Sequence, residues 1–131
     1  MTTYSSIFRY ADEHNWEGLA NAFTEDVDFD YHSLSGQAAQ TIKSAQITAN
    51  WAAFLPKFKF TMHYLCNHFV EVNGLHATAF CYGQAIHQQP NDEIWTVYGK
   101  YYFRLTEADG RWKVSAIRYE HKYAQGNLNL P

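Results

Sequence analysis

Apolar and polar positions recur with a helical spacing in the first half of the chain and with a strand spacing in the second half. Residues 3–13 carry apolar side chains on one side, which predicts a short helix. Asn15 predicts the start of a second helix, because its side chain can cap the first turn, and apolar residues at helical spacing continue it to Phe23. We expect this helix to end over residues 24–26.

The middle of the chain predicts one strand followed by the longest helix. Residues 27–31 alternate apolar with acidic side chains, as in a strand with one polar face, and Gly36 ends this extended run. Residues 39–54 contain recurring apolar positions, and no Gly or Pro occurs between them and Pro56, so we expect a helix there.

Everything from Phe60 onward predicts extended structure in two hairpins. The predicted strands cover residues 60–72, 75–88, 93–105 and 111–122, and the tail from Ala124 is expected to be irregular. The Asn73-Gly74 pair is the strongest short signal for a tight turn between the first two strands. This order predicts an α+β fold in which helices gather on one face of an antiparallel sheet, with residues 1–131 as a single domain.

Composition adds that aromatic residues exceed what a core of this size needs. They make up 18% of the 131 residues, with 10 Tyr, 9 Phe and 4 Trp. A large aromatic cavity or an adhesive interface would each explain the excess.

Charge and hydropathy restrict the expected partners. The net charge is −3 and no run of Lys or Arg occurs, so we expect no nucleic-acid partner. Polar residues interrupt every apolar stretch before the roughly 18 residues that a membrane span requires. Residues 1–15 lack the apolar core of a signal peptide. We therefore expect a cytoplasmic protein without membrane contact.

His63 is the most informative residue, because it places a titratable ring inside a strongly apolar strand. Asp12, on the first helix, is a candidate acidic partner. If the fold brings the two together, the chain carries a general base whose imidazole is oriented by a carboxylate. The alternative is a core histidine that a backbone carbonyl satisfies, or a histidine exposed on the sheet.

The face of the sheet on which His63 lies depends on the register of the first hairpin. Strict alternation places it opposite the smaller and more apolar positions, namely Cys66, Val70, Ala77, Ala79, Cys81 and Ala85. A one-residue β-bulge between Leu65 and Asn67 would move His63 to their face, and we predict this bulge. With the bulge, His87 approaches the cavity as a second proton donor or a substrate ligand, and without it His87 faces away.

The seven His and two Cys residues do not predict a metal site. No two His have the close spacing of a metal-binding helix, and the isolated Cys66 and Cys81 cannot supply a zinc knuckle. The sequence also lacks a Gly-rich phosphate loop and a nucleophile elbow, so we expect no cofactor. The two cysteines are predicted to lie opposite each other across the hairpin as unbonded thiols.

Five segments of the chain resemble one family. They are Asp12-Glu-His-Asn-Trp-Glu-Gly-Leu19, Val27-Asp-Phe-Asp-Tyr31, Met62-His-Tyr-Leu-Cys-Asn67, Gly99-Lys-Tyr101 and Asp109-Gly-Arg-Trp112. With the order of elements, they resemble the SnoaL-like branch of the nuclear-transport-factor-2-like superfamily over nearly the whole chain. The resemblance is closest to the branch of scytalone dehydratase and hexachlorocyclohexane dehydrochlorinase. It implies a cone-shaped, cystatin-like fold with a cavity between helices and sheet, and a cofactor-free catalytic dyad of Asp12 and His63.

The resemblance also implies roles for aromatic residues. Tyr31 matches a cavity tyrosine of the family, whereas Ala11 stands where the dehydratase has an aromatic hydroxyl. Tyr31 and Tyr101 are candidates to hydrogen-bond a substrate oxygen or leaving group, and Trp51 is a candidate wall of the substrate site.

The expected function is that of a cofactor-independent lyase or isomerase, resembling the dehydratases, acting on a small apolar or aromatic molecule. Two other classes stay open. One is a ligand-binding or protein-interaction module without turnover, and the other is an accessory subunit of an oxygenase, since small subunits of ring-hydroxylating dioxygenases share this fold. Pairing through the outer sheet is common in the superfamily, and with the aromatic content it makes a homodimer the expected assembly.

Overall fold

The helices lie in the first half of the chain and four long strands follow in the computed structural model, which describes residues 3–128 and 130. In order, the elements are α1 (Thr3–Asp12), α2 (Trp16–Ala22), β1 (Phe23–Asp30), α3 (His32–Ser35), β2 (Gln40–Lys43), α4 (Ser44–Phe54), a 3₁₀ turn (Leu55–Lys57), β3 (Phe60–Asn73), β4 (His76–Gln88), β5 (Ile94–Ala108) and β6 (Arg111–Gly126). None of the described helices is both long and apolar enough to span a membrane.

The six strands form one sheet in the order β2-β1-β6-β5-β4-β3. Four of the five strand pairs are antiparallel, and β1 runs parallel to β6. The α+β class is therefore confirmed, but the expectation of a purely antiparallel sheet is wrong for this one pair. Long-range packing brings the last strand, β6, beside the first, β1. No local pattern in either strand encodes the parallel direction of this pair.

Local signals predicted the start of the chain well. Helix α1 forms as expected, and the Asn15 side chain accepts a hydrogen bond of 3.0 Å from the backbone N–H of Gly18, as a helix cap should. Helix α2 ends at Ala22, two to four residues earlier than expected, because Phe23 already pairs with Val114 of β6.

The largest error concerns the segment predicted as one helix over residues 39–54. Its first residues form β2, in which Ile42 pairs with Val27 of β1, and α4 begins only at Ser44. A short helix, α3, was not expected, and β6 extends to Gly126 into the tail predicted to be irregular. Positions 129 and 131 of that tail lie outside the described residues.

The predicted β-bulge is confirmed, slightly later in the chain than expected. Strand β3 changes register against β4 between Cys66 and Phe69, so that Asn67 and His68 together oppose Cys81. Asn67 has a φ of 56°, a left-handed conformation that asparagine tolerates better than most residues. The tight hairpin is also confirmed, although its turn residues are Gly74 and Leu75.

These shifts move the two cysteines out of the predicted register. Cys66 pairs with Tyr82 and faces outward, whereas Cys81 is buried on the inner face, so the direct pairing of the cysteines was wrong. Both thiols are free, and burial raises the pKa of Cys81 to about 12.

The core lies between α1, α2, α4 and the inner face of the sheet. The inward residues of strand β4 are small, namely Ala77, Ala79, Cys81, Gly83 and Ala85. They leave space for large rings of the adjacent strand β5, Tyr101 and Phe103. Gly83 is the tightest of these positions, because a Cβ atom there would overlap the ring of Tyr101.

We predict that Gly83→Ala destabilises the protein by about 1–3 kcal/mol, because the buried Tyr101 ring has no free space into which to move. Urea denaturation measures the change. Gln84→Ala, on the outer face of the same strand, is the control and should cost less. The cost of Gly83→Ala should shrink in a Tyr101→Leu background, and an equal cost in both backgrounds would contradict this explanation.

Candidate functional site

Asp12 and His63 meet where the end of α1 reaches β3. The Nδ1 atom of His63 lies 2.8 Å from Oδ1 of Asp12, and the backbone N–H of His63 donates to Oδ2 at 2.9 Å. Their side chains are only 10% (His63) and 18% (Asp12) exposed. Because a carboxylate accepts, Nδ1 carries the proton, and Nε2 is the ring nitrogen that can take a proton from a bound molecule.

The local sequence explains how these side chains reach each other. Helix α1 buries Tyr4, Ile7, Phe8 and Ala11 against the sheet, and Asp12 follows directly at the helix end. On β3, the bulge places His63 opposite Ala85 of the inner face, where strict alternation would have placed it outside. The predicted juxtaposition of Asp12 and His63 is thus present in the structure.

Aromatic rings surround His63. Its imidazole stacks on Phe8, with ring centroids 4.6 Å apart, and lies edge-on to His87 at 6.4 Å. Phe8 also contacts Tyr101 at 4.8 Å and lies parallel to Trp51 at 6.5 Å. Phe8 therefore contacts His63 on one side and the rings of Tyr101 and Trp51 as well.

His87 lies on the inner face, as the bulge required. Its ring stacks on Trp95 at 4.2 Å, and its Nδ1–H donates to the backbone carbonyl of Trp95 at 3.1 Å. Desolvation by burial lowers the pKa of His87 to about 4, and this effect outweighs the bond to Trp95. His87 is therefore neutral near pH 7, which suits a substrate ligand better than a proton donor.

The rings of Tyr31 and Tyr101 both lie against Tyr119, whose ring centroid is 5.5 Å from that of Tyr31 and 4.9 Å from that of Tyr101. Burial raises the pKa of all three hydroxyls far above the usual value for tyrosine. Each phenol thus keeps its proton and can serve as a hydrogen-bond donor.

The dyad opens onto a groove of about 450 Å³ between α1 and β3. Its lining consists of Ser5, Phe8, Arg9, Asp12, Glu13, His63, Leu65 and His68. Of the residues predicted for the site, this groove contains Asp12 and His63, whereas Tyr31, Tyr101, His87 and Trp51 do not line it. The fold therefore places Asp12 and His63 at the groove, and the other four candidates elsewhere.

Sequence reasoning missed two residues that touch the dyad. Phe8 lies one helical turn before Asp12 and so shares its face of α1, while Thr61 lies two residues before His63 and so shares its face of β3. These spacings were the signals that could have identified both residues.

A larger groove of about 740 Å³ crosses the outer face of the sheet and does not include the dyad. Charged and aromatic side chains line it, among them Asp28, Arg104, Arg118 and Tyr102. Arg104 is paired with Asp28, and Arg118 lies over the Tyr102 ring at 3.9 Å. Over residues 3–128 and 130, no cluster of three or more His, Cys, Asp and Glu side chains is arranged to hold a metal.

One family model matches most of the chain. The family model of the SnoaL-like domain matches residues 2–118. A search of curated proteins found no match to the chain.

Solved structures of the same fold include two proteins from Novosphingobium aromaticivorans. A candidate aromatic ring hydroxylase shares 22% identity at a TM-score of 0.84, with 97% of this chain and 90% of that chain covered. A candidate scytalone dehydratase shares 20% identity at a TM-score of 0.81, with 94% of this chain and 81% of that chain covered. A type 2 hexachlorocyclohexane dehydrochlorinase shares 17% identity at a TM-score of 0.76, with 98% of this chain and 86% of that chain covered. These similarities show that the chain has a nuclear-transport-factor-2-like fold, in which helices pack on a curved sheet.

The depressed pKa of His87 predicts a pH-dependent stability. Below pH 6.5 the unfolded chain protonates this ring, whereas the folded protein resists protonation until pH falls to about 4. His87 should therefore remove about 3 kcal/mol of unfolding free energy as pH falls from 6.5 to 4, and nothing above that window. Urea denaturation across this range measures the loss.

The comparison with His87→Gln separates this effect from that of the carboxylates. The variant should lose less stability than the wild type between pH 6.5 and 4, while His76→Gln, at the exposed start of the same strand, should follow the wild type. Parallel curves for the wild type and His87→Gln would contradict the prediction.

Proposed function

The chain belongs to the SnoaL-like domain family, and on that premise we propose that it is a cofactor-independent lyase or isomerase, dehydratase-like, in which Asp12 and His63 act as the catalytic pair. The observation that supports this proposal most directly is the imidazole held by a carboxylate at 2.8 Å beside a groove. Such a pair is a general base whose tautomer is set by the hydrogen bond at Nδ1.

In the proposed reaction, Nε2 of His63 takes a proton from an activated C–H bond of the substrate. In an elimination, the electron pair of that bond forms the new double bond, and the leaving group departs with its own bonding pair. In an isomerisation, the imidazolium returns the proton to a different carbon. Asp12 stabilises the imidazolium in either case, and a positioned base of this kind contributes about 10²- to 10⁴-fold to the rate.

Tyr31 and Tyr101 are the proposed donors to a substrate oxygen or leaving group, and His87 and Trp51 are proposed to contact the substrate. The buried hydroxyls stay protonated, which suits this role. Phe8 contacts both His63 and Tyr101, so its ring links the dyad to this proposed donor.

The proposed substrate is a small apolar or aromatic molecule. Phe8 and Leu65 give the groove apolar walls, and Arg9 is paired with Glu13 at 3.3 Å, which balances the charge there. The solved structures of the same fold include a candidate scytalone dehydratase and a dehydrochlorinase, names that denote eliminations from ring compounds. The free thiols fit the reducing cytoplasm, which is the compartment that we propose.

A second candidate function is that of an oxygenase accessory subunit or another interaction module. The observation in its favour is the outer sheet face, where Tyr64 and Tyr82 are 54% and 41% exposed. A candidate aromatic ring hydroxylase also has this fold. This function would need the outer face and would not need the Asp12–His63 pair.

Substitution of the dyad tests the enzyme proposal. With hydroxylated aromatic and polyketide-like compounds as substrates, Asp12→Asn and His63→Gln should each lower turnover by about 10²- to 10⁴-fold, because the base is lost or misoriented. Product formation by mass spectrometry and loss of a deuterium label from the substrate measure the step. Asp30→Asn and His76→Gln, both away from the groove, serve as matched controls.

Unchanged rates in both dyad variants would refute the enzyme proposal. Binding of these compounds without turnover, equal in the wild type and in His63→Gln, would instead favour the ligand-binding module.

We also propose that the protein is a homodimer that pairs through the outer sheet face. This face, on β3 to β6, carries exposed aromatic side chains, including Tyr64, Phe69, Tyr82 and Tyr123. Tyr98 and Tyr123 stack on it with ring centroids 4.4 Å apart. Exposed apolar surface of this kind is characteristic of interfaces.

Introduced charges test the dimer. The double variant Tyr64→Glu, Tyr82→Glu should sediment as a monomer at concentrations where the wild type sediments at the mass of two chains, because two facing carboxylates cannot be desolvated. Leu34→Glu, at an exposed apolar residue elsewhere, is the control and should stay dimeric. A monomeric wild type at high concentration would refute the proposal.

A further inference from the structure

Asp12 is held by a third donor besides the two groups of His63. The hydroxyl of Thr61 donates to Oδ1 of Asp12 at 2.8 Å, and this is the same oxygen that accepts from Nδ1 of His63. Thr61 is only 6% exposed, and its strand position is set by pairing with His87. The carboxylate thus has one oxygen shared by a hydroxyl and an imidazole, and the other bound to a backbone N–H.

This arrangement offsets an unfavourable position of the charge. Asp12 is the last residue of α1, where the negative end of the helix dipole disfavours a carboxylate. The nearby cation Arg9 is paired with Glu13, and among the described residues the ion-pair partner of Asp12 is His63 itself. Hydrogen bonds from Thr61 and His63 are therefore what hold this carboxylate in its orientation.

The two oxygens of an aspartate exchange places when the side chain rotates, and a single hydrogen bond does not prevent that rotation. Here the backbone N–H of His63 binds Oδ2 and the Thr61 hydroxyl binds Oδ1, so the plane of the carboxylate is set by groups other than the imidazole. The Nδ1–H group of the imidazole then donates to Oδ1 of Asp12, an acceptor that the other two groups already hold in place. Its proton stays on Nδ1, and Nε2 keeps its lone pair.

We propose that Thr61 is a positioning residue for the catalytic pair: its hydroxyl fixes Oδ1 of Asp12 and thereby keeps His63 in the single tautomer that can act as a base. Its part in catalysis rests on the proposed function, whereas its effect on the tautomer does not. Nothing in this role requires Thr61 to touch the substrate.

Nuclear magnetic resonance of the ring nitrogens of His63 tests the tautomer directly. Thr61→Val keeps the branched shape and removes the hydroxyl, so its spectrum should show a mixture of Nδ1–H and Nε2–H forms and a loss of the downfield Nδ1 proton signal. Thr61→Ser keeps the hydroxyl and should retain the wild-type spectrum. Thr96→Val, at another buried threonine on β5, is the matched control and should also match the wild type.

Kinetics with any compound that the wild type turns over give the second readout. Thr61→Val should lower kcat by about 10- to 100-fold, the usual effect of removing a group that orients a catalytic residue, with a smaller change in KM. Thr61→Ser should recover most of kcat. If Thr61→Val does not fold by its amide spectrum, Thr61→Ala removes the same hydroxyl without the added methyl group and is read in the same way.

A folded Thr61→Val protein whose His63 keeps the wild-type tautomer and Nδ1 proton signal would overturn the positioning role. Failure of the proposed function has a different signature, because the tautomer would change in Thr61→Val while neither the wild type nor any variant turned over a compound.

Discussion

The rest of the structure depends on one interaction, in which the carboxylate of Asp12 binds the open edge of the sheet. Strand β3 is an edge strand. The backbone N–H of His63 on this strand donates a hydrogen bond to Asp12 at the end of α1. That bond joins the helix to the sheet edge and at the same time brings the carboxylate to the imidazole. Packing and chemistry therefore share one contact, and a change to the contact affects both.

The β-bulge at Asn67 and His68 reconciles two demands on β3. Val70 and Val72 lie opposite Ala79 and Ala77 of the inner face, and His63 must face Asp12 on that same side. A regular strand satisfies only one of these demands, because a shift of one residue moves every side chain to the opposite face. The extra residue shifts the register of β3 against β4 between Cys66 and Phe69. It requires a left-handed backbone conformation at Asn67.

Burial divides the polar groups of the site into two kinds. Deep inside, Tyr31, Tyr101 and His87 are kept in their neutral forms, so they can form hydrogen bonds but do not exchange protons readily near pH 7. At the groove, Asp12 and His63 lie where a small molecule can reach them. Phe8 contacts both His63 and Tyr101, while His87 approaches His63 directly, with ring centroids 6.4 Å apart.

The sequence by itself determined the elements that rest on neighbouring residues: α1, the cap at Asn15, the first hairpin and, through the mismatch of faces around His63, the bulge. The family resemblance added the pairing of Asp12 with His63. Only the tertiary structure decided the parallel β1–β6 pair, the conversion of residues 40–43 into a strand, and the bond from Thr61 to Asp12. Each of these joins segments whose own patterns permit other partners, and the partner is chosen by packing across the whole chain, because hydrophobic burial and long-range pairing override weak local preference.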